Sequence, residues 1–384
     1  MKFFHLSDLH IGLKLINQDL REDQEYILEQ MVVMAIREQP EAVVIAGDVY
    51  DRAVPSAEAV EVFDGFISRL AEALPETEIL VISGNHDSGP RLGCFRRVLA
   101  RQQVHIAGMP PQREDEYLEQ VTLEDSWGPV HFYLLPFVRP SMVRQVVGTG
   151  ENGNSLSYQE TVARLLAREE IPTEERNVLV SHQFYLPAGK DPEEVERMDS
   201  EVRTVGNIDQ VSAEVLEPFD YAALGHIHKP MSVGSSRYRY CGTPLACSVS
   251  EAGQQKGVIQ VELGPKGDVR TTVLPLTPLR QVRVLRGTLA EVLAQGCGDY
   301  VTVILTDPGD LDVGEMQDRL RAAFPYLLEI RRELPGQPPE RQGLVRQEEL
   351  PPLELCRRFL GELDAAKEEI LQDVIRTVQE GGGE

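Results

Sequence analysis

No stretch of the chain approaches the roughly 20 consecutive apolar residues that a membrane span needs. The opening Met1-Lys2-Phe3-Phe4-His5 lacks the zones of a secretory signal. Cysteine is scarce and scattered: Cys94, Cys241, Cys247, Cys297 and Cys356 make an odd five with no C-x-x-C pair. That excludes a disulfide framework and a zinc ribbon, and reads as reduced thiols in a soluble cytoplasmic protein with no membrane partner. Basic residues are also in deficit, 38 Lys and Arg against 62 Asp and Glu, a net charge of −24. Such a surface repels nucleic acid at long range and argues against tight, unaided DNA binding. It leaves open a local cationic centre or a basic partner that supplies the attraction.

What is present suffices for a sizeable core: 384 residues, 42% hydrophobic, beyond the length at which one core usually stops growing. One large unit with smaller attachments is expected. Short apolar runs alternate with helical patterns in the order of an α/β fold. Strands are expected at Lys2–Ser7, Ala42–Ala46, Ile79–Ser83, His131–Leu135, Val178–Ser181 and Tyr221–Leu224. Ser56 reads as a helix N-cap, with Val60, Phe63, Ile67, Leu70 and Leu74 following at helical spacing as a core or dimer-forming stripe. After Gly225 the pieces Arg237–Cys241, Gly257–Leu263 and Asp268–Leu274 suggest a second sheet layer. From about Thr277 to Leu334 a histidine-free unit reads strand, helix, strand, helix, strand, with strands at Val282–Leu285, Val301–Leu305 and Leu327–Arg331. Gly336-Gln337-Pro338-Pro339 reads as a linker. Leu353–Val378 reads as a helix with an apolar stripe, which packs on a partner or on its own domain.

Five of the expected strands end in metal-capable polar clusters: Asp8-Leu9-His10, Gly47-Asp48, Gly84-Asn85-His86-Asp87, Ser181-His182 and Gly225-His226-Ile227-His228. Ligand sites in open α/β sheets collect at the carboxyl ends of strands, so these distant clusters can converge. In extended backbone, residues two apart point the same way, which lets Asp8 with His10, and His226 with His228, each offer a pair of ligands. Imidazole and carboxylate without thiolate suits manganese, iron or zinc. A lone histidine is usually structural and Gly-Asp usually a turn. Five strand ends terminating alike are not explained by packing, and together they point to a binuclear metal site.

Through D-x-H, G-D-x-x-D, G-N-H-D, the lone histidine and G-H-x-H, in that order, the chain resembles the calcineurin-like metallophosphoesterases. Within them it is similar to the nuclease-subunit family of the bacterial SbcCD double-strand-break repair nucleases. Supporting pieces are Phe4-His5-Leu6-Ser7-Asp8-Leu9-His10-Ile11-Gly12, Pro136-Phe137-Val138-Arg139-Pro140 and Arg239-Tyr240-Cys241-Gly242-Thr243-Pro244. The resemblance implies an α/β fold, a four-layer α-β-β-α sandwich over residues 1–275. It adds a small α+β capping, DNA-contacting domain at 276–335, a linker at 336–352 and a C-terminal helical segment at 353–380. It implies two divalent metal ions, usually manganese: Asp8, His10 and His228 on one, Asn85, His182 and His226 on the other, Asp48 bridging. Such a pair holds a phosphodiester and activates a water for in-line attack. His86 would stabilise the transition state or protonate the leaving oxygen, with Asp51 as its orienting partner, although a histidine there can also act only by hydrogen bonding behind the ligands.

The implied activity is exonuclease action on double-stranded DNA ends and endonuclease cleavage of hairpins, in repair and recombination. The implied partners are an SbcC-type ATPase, docked through the C-terminal helix, and a second copy in a homodimer through helices around 56–74 and 88–101. Rival readings share the site. Gly47-Asp48-Val49-Tyr50-Asp51-Arg52 comes close to the protein serine/threonine phosphatases, but those follow with G-N-H-E where this chain has Asp87. A small-molecule phosphodiesterase or phosphatase would leave residues 277–334 unexplained, and a mainly architectural protein that tethers DNA ends would have no need for seven aligned ligands.

Overall fold

In the computed structural model, which describes residues 1–150, 153–187, 201, 209–308, 312–333, 367 and 371–375, the apolar strands divide their side chains between two covered faces. Along Lys2–Leu6, Phe3 goes to one apolar layer and Phe4 and Leu6 to another, as the two-residue period of extended chain requires. Burial on both sides is why these strands read as unbroken apolar runs rather than as alternations.

Lys2–Leu6, Ala42–Ala46, Glu78–Ile82 and Val104–Ala107 form the parallel part of a six-stranded first sheet. Gly128–Leu135, Arg176–Ser181, Tyr221–Leu224 and Ser235–Tyr240 form the parallel part of a six-stranded second sheet. Phe3, Val44 and Leu80 of the first pack on Phe132, Val178 and Tyr221 of the second. Helices Arg21–Glu38 and Ala57–Ala73 cover the outer face of the first sheet, setting Ile27, Met31, Phe63 and Phe66 against Phe4, Val43 and Val81. Helix Tyr158–Leu166 covers the second, through Val162 and Leu165 against Tyr133 and Leu179. This is the expected α-β-β-α order.

Two expectations need correcting. Gly257–Leu263 and Val269–Pro275 make no layer of their own; they extend the first sheet antiparallel beside Lys2–Leu6. Val258, Ile259 and Val261 are apolar on both faces, and a place inside a sandwiched sheet covers both. Arg237–Cys241 instead supplies the strand Ser235–Tyr240 of the second sheet. On helix Ala57–Ala73, Ser56 Oγ caps the first turn by accepting from the Ala59 N–H at 3.3 Å. Val60, however, is 43% exposed, and Phe66 takes the inward position, because 59, 63, 66 and 70 keep one helical face and 60 falls beside it.

Val282–Gly287, Tyr300–Leu305 and Tyr326–Arg332 form a separate three-stranded parallel sheet. Helices Leu289–Leu293 and Val313–Ala323 cover one face through Val292, Met316 and Leu320, against Val301 and Val303. Tyr300 on the other face packs on Leu15 and Leu20 of the main body. The expected linker at 336–352 and most of the segment at 353–380 lie outside the described residues; of the latter, 367 and 371–375 are helical. No helix among the described residues is long and apolar enough to cross a membrane.

Candidate metal centre

The five polar clusters follow the carboxyl ends of five parallel strands, three in the first sheet and two in the second. Their donor atoms meet in one continuous chain. His226 Nδ1 lies 2.8 Å from Asn85 Oδ1, which lies 3.0 Å from His182 Nε2. His182 Nε2 is 3.2 Å from Asp48 Oδ2, and that same oxygen is 3.7 Å from His10 Nε2. His10 Nε2 then faces His228 Nε2 at 3.1 Å. Asp8 belongs with His10 and His228 on one side and with Asp48 and His182 on the other.

Asp8 and His10 do not converge through extended backbone. Asp8 has φ 52°, His10 φ 44°, Asp48 φ 48° and His226 φ 101°, all in the left-handed region. Side chains other than glycine enter that region at a cost, and such residues gather at functional sites where the surrounding structure imposes them. Main-chain bonds do so here: the Asp8 N–H donates to the Gly47 carbonyl and the His10 N–H to that of Asp48, both at 3.0 Å.

The donors suit a pair of divalent cations. His10 and His228 turn ring nitrogens toward each other, where at most one can carry a proton, and buried His10 Nδ1 has no hydrogen-bond partner among the described residues. The His182 Nδ1–H donates to the Ala46 carbonyl at 2.7 Å, which turns Nε2 toward Asn85 and Asp48. A hard or borderline cation matches this carboxylate, amide and imidazole set.

Glycine makes the close approach possible. A Cβ on Gly84 would stand 2.1 Å from Asp48 Oδ1, and one on Gly47 2.3 Å from His182 Nδ1. Gly84→Ala should therefore push Asp48 out of line, and metal affinity measured by titration calorimetry should fall by about 10–100-fold. The substitution is expected to cost about 1–3 kcal/mol of stability in a thermal melt.

Charge in the metal-free centre is shared between carboxylates and imidazoles. Burial alone would lower the His182 pKa, but Asp48 and Asp8 outweigh it and raise it to about 9. Burial alone would raise that of Asp48, but His182, His86 and His10 bring it well below the usual carboxylate range. His10 is driven the other way, well below its ordinary value, chiefly by burial, and stays neutral. A proton on His182 below pH 9 competes with metal. Affinity for added manganese should thus rise with pH up to about pH 9 and flatten above it, measured by titration at several pH values. In the metal-free protein the His182 ion pair stabilises fully below its ordinary pKa of 6.5, and that contribution disappears as pH rises through 9.

His86 sits beside the chain, a ring nitrogen within 4.8 Å of donor atoms of His10 and Asp48 and its ring edge-on to His10 with centroids 4.9 Å apart. Its main-chain N–H donates to Asp48 Oδ1 at 2.8 Å. The Asp51 contact differs from the sequence expectation: His86 Nδ1–H donates to the Asp51 main-chain carbonyl at 2.9 Å. The Asp51 carboxylate instead lies 4.0 Å from His10 Nδ1 and 3.5 Å from Arg52 Nε. A main-chain oxygen needs no particular side chain, so the motif could not distinguish the two arrangements. Beside Asp51, a cleft of about 400 Å³ is lined in part by Lys14, Arg21 and Arg52, set against Asp19, Asp51 and Glu58.

Sequence reasoning missed the groups that hold the candidate ligands. Buried Glu251 lies 3.5 Å from His228 Nδ1 and accepts from Lys256 Nζ at 2.6 Å and Thr243 Oγ1 at 3.0 Å. Burial works against its charge, yet His228 and Lys256 bring its pKa far below the usual range. A carboxylate behind an imidazole orients the ring and strengthens it as a ligand. Nothing in the spacing of Glu251 from His228 signals this. Asp87, in the sequence one of a metal-capable cluster and a departure from the phosphatase pattern, has a different part here. Its carboxylate accepts from the N–H groups of Val49, Tyr50 and Gly84 at 2.9 to 3.0 Å, clamping the Asp48 and Asn85 loops together.

The calcineurin-like phosphoesterase pattern matches residues 1–230, and that of the "Type 5 capsule protein repressor C-terminal domain" matches residues 278–362. Over 297 residues the chain is 31% identical to the SbcD component of the SbcCD nuclease of Staphylococcus epidermidis, covering 77% of this chain and 75% of the relative. Among solved structures, a dimetal phosphatase from Danio rerio is similar with a TM-score of 0.42 at 15% identity, over 74% of this chain and 99% of its own. A Thermus thermophilus protein is similar with a TM-score of 0.40 at 14% identity, over 71% and 98%.

Proposed function

The chain belongs to the calcineurin-like phosphoesterases and, within them, to the family of SbcD nuclease subunits, and from that premise we propose that it is a manganese-dependent DNA nuclease subunit. It cuts double-stranded ends as an exonuclease and hairpins as an endonuclease, in DNA repair and recombination, with an SbcC-type ATPase as partner. The same reading carries a cytoplasmic homodimer, with residues 1–275 holding the chemistry and 276–335 capping it and contacting DNA.

One observation supports this above the others: six donors from five strand ends follow one another at 2.8 to 3.7 Å, with Asp8 beside both groups and one Asp48 oxygen between them. We assign Asp8, His10 and His228 to one ion, Asn85, His182 and His226 to the other, and Asp48 to both. Two divalent cations held there would supply Lewis-acid stabilisation of a phosphoryl group and an activated water. The protein's own residues do the rest. Glu251 holds the His228 ring, Ala46 fixes the tautomer of His182, and Asp87 locks two ligand loops to each other. His86, with Nδ1–H committed to the Asp51 carbonyl, keeps Nε2 for a proton given to the leaving oxygen. With both ions bound, Asp8 and Asp48 would leave a net positive centre for a phosphodiester that the acidic surface repels.

The test incubates the purified chain and manganese with end-labelled duplex DNA, a DNA hairpin and bis-p-nitrophenyl phosphate, each with and without chelator. Metal-dependent cutting of both DNAs is expected. Cleavage of the small diester with both DNAs intact, also when the ATPase partner is added, would replace the nuclease reading by a small-molecule phosphodiesterase.

A further inference from the structure

Asp23 and Gln24 are neighbours in the first turn of helix Arg21–Glu38, both buried, and they reach in different directions. Asp23 holds the three-stranded unit. Its Oδ2 accepts from Arg280 Nη1 at 2.6 Å and from the Tyr300 hydroxyl at 2.7 Å. Arg280 also donates to Glu22 and lies over the Tyr326 ring at 4.5 Å. Gln24 holds the metal-ligand loop: its Nε2 donates to the His10 carbonyl at 2.7 Å, and its Oε1 accepts from the Gly12 N–H at 3.0 Å. Both ends of one amide are therefore spent on the backbone that carries His10.

Leu20 at the N-cap position makes no side-chain capping bond, and the Arg21 N–H of the first turn donates instead to Asp19 Oδ1 of the preceding hairpin at 2.9 Å. The hairpin Lys14–Leu15 and Gln18–Asp19, which joins His10 to the helix, packs through Leu15 and Leu20 on Tyr300 of the same unit. A displacement of the unit would draw on Asp23, and the adjoining Gln24 would move the His10 carbonyl with it.

We propose that Asp23 and Gln24 couple the position of the residue 276–333 unit to the His10 side of the metal centre, so that a partner or substrate that shifts this unit tunes metal binding. Gln24 is the positioning residue, acting through His10. The inference rests on the reading of His10 as a metal ligand, but its first readout does not.

Arg280→Gln and Tyr300→Phe each weaken the hold on Asp23 at a distance from every proposed ligand. Hydrogen exchange at the Gly12 amide, followed in the metal-free full chain, should quicken about tenfold in both, and manganese affinity should fall by about the same factor. Arg283→Gln, which removes a 3.5 Å ion pair with Asp299 within the same unit, should change neither. The double variant Arg280→Gln with Gln24→Met should bind manganese no more weakly than the worse single variant, the non-additivity of residues acting as one unit. Unchanged Gly12 exchange in both Arg280→Gln and Tyr300→Phe, or single effects that multiply in the double variant, would overturn the coupling. A chain that binds no manganese but keeps the exchange pattern would defeat the nuclease reading and leave the mechanical link standing.

Discussion

Asp48→Ala should reduce DNA cleavage by roughly a thousandfold or more, the loss that several kcal/mol of metal-derived transition-state stabilisation represents. The reason is position. One Asp48 oxygen stands 3.2 Å from His182 and 3.7 Å from His10, the other accepts the His86 N–H at 2.8 Å, and the residue's carbonyl receives the His10 N–H. Its carboxylate touches both ligand groups and the proposed acid at once. Removing it also leaves the raised proton affinity of His182 without its main support, so both halves of the centre change. Initial rates on end-labelled duplex, at saturating manganese, measure the effect. Asp48→Asn, which keeps the shape and loses the charge, should fall between the two.

His86→Gln is expected to separate binding from chemistry. Glutamine cannot supply an acid at the Nε2 position, and loss of a positioned general acid costs about 10²–10⁴-fold in rate. The donor chain from His226 to His228 runs without His86, so manganese affinity should stay within about twofold, far below the 10–100-fold expected when a group holding a ligand is lost. Single-turnover cleavage and a manganese titration of the same preparation measure both quantities. Full turnover would remove His86 from the chemistry, whereas a parallel fall in metal affinity would make it a supporting hydrogen-bonding residue.

The sheet order and the site were legible to different depths. Strands buried on both faces announce themselves as apolar runs, and Lys2–Leu6, Ala42–Ala46 and Tyr221–Leu224 were readable to within a residue. Which sheet Gly257–Leu263 joins was not, because a two-faced apolar strand fits any interior position and only pairing with Lys2–Leu6 decides. The candidate ligand residues were legible because metal chemistry requires those types at strand ends. The backbone that aims them was not: left-handed Asp8, His10 and Asp48 break the local rule for non-glycine residues, and only long-range main-chain bonds impose it. Glu251 and Gln24 were hidden for a related reason. Each acts on a ligand far from it in sequence or through the ligand's backbone, and neither leaves a spacing to read.

Equilibrium dialysis of the purified chain against manganese, with bound metal counted per chain at saturation, reaches the shared centre most directly. Two ions per chain are expected, with Asp48→Ala holding one or none. A single ion on the unmodified chain, or two retained by Asp48→Ala, would contradict a centre of two cations joined through that carboxylate.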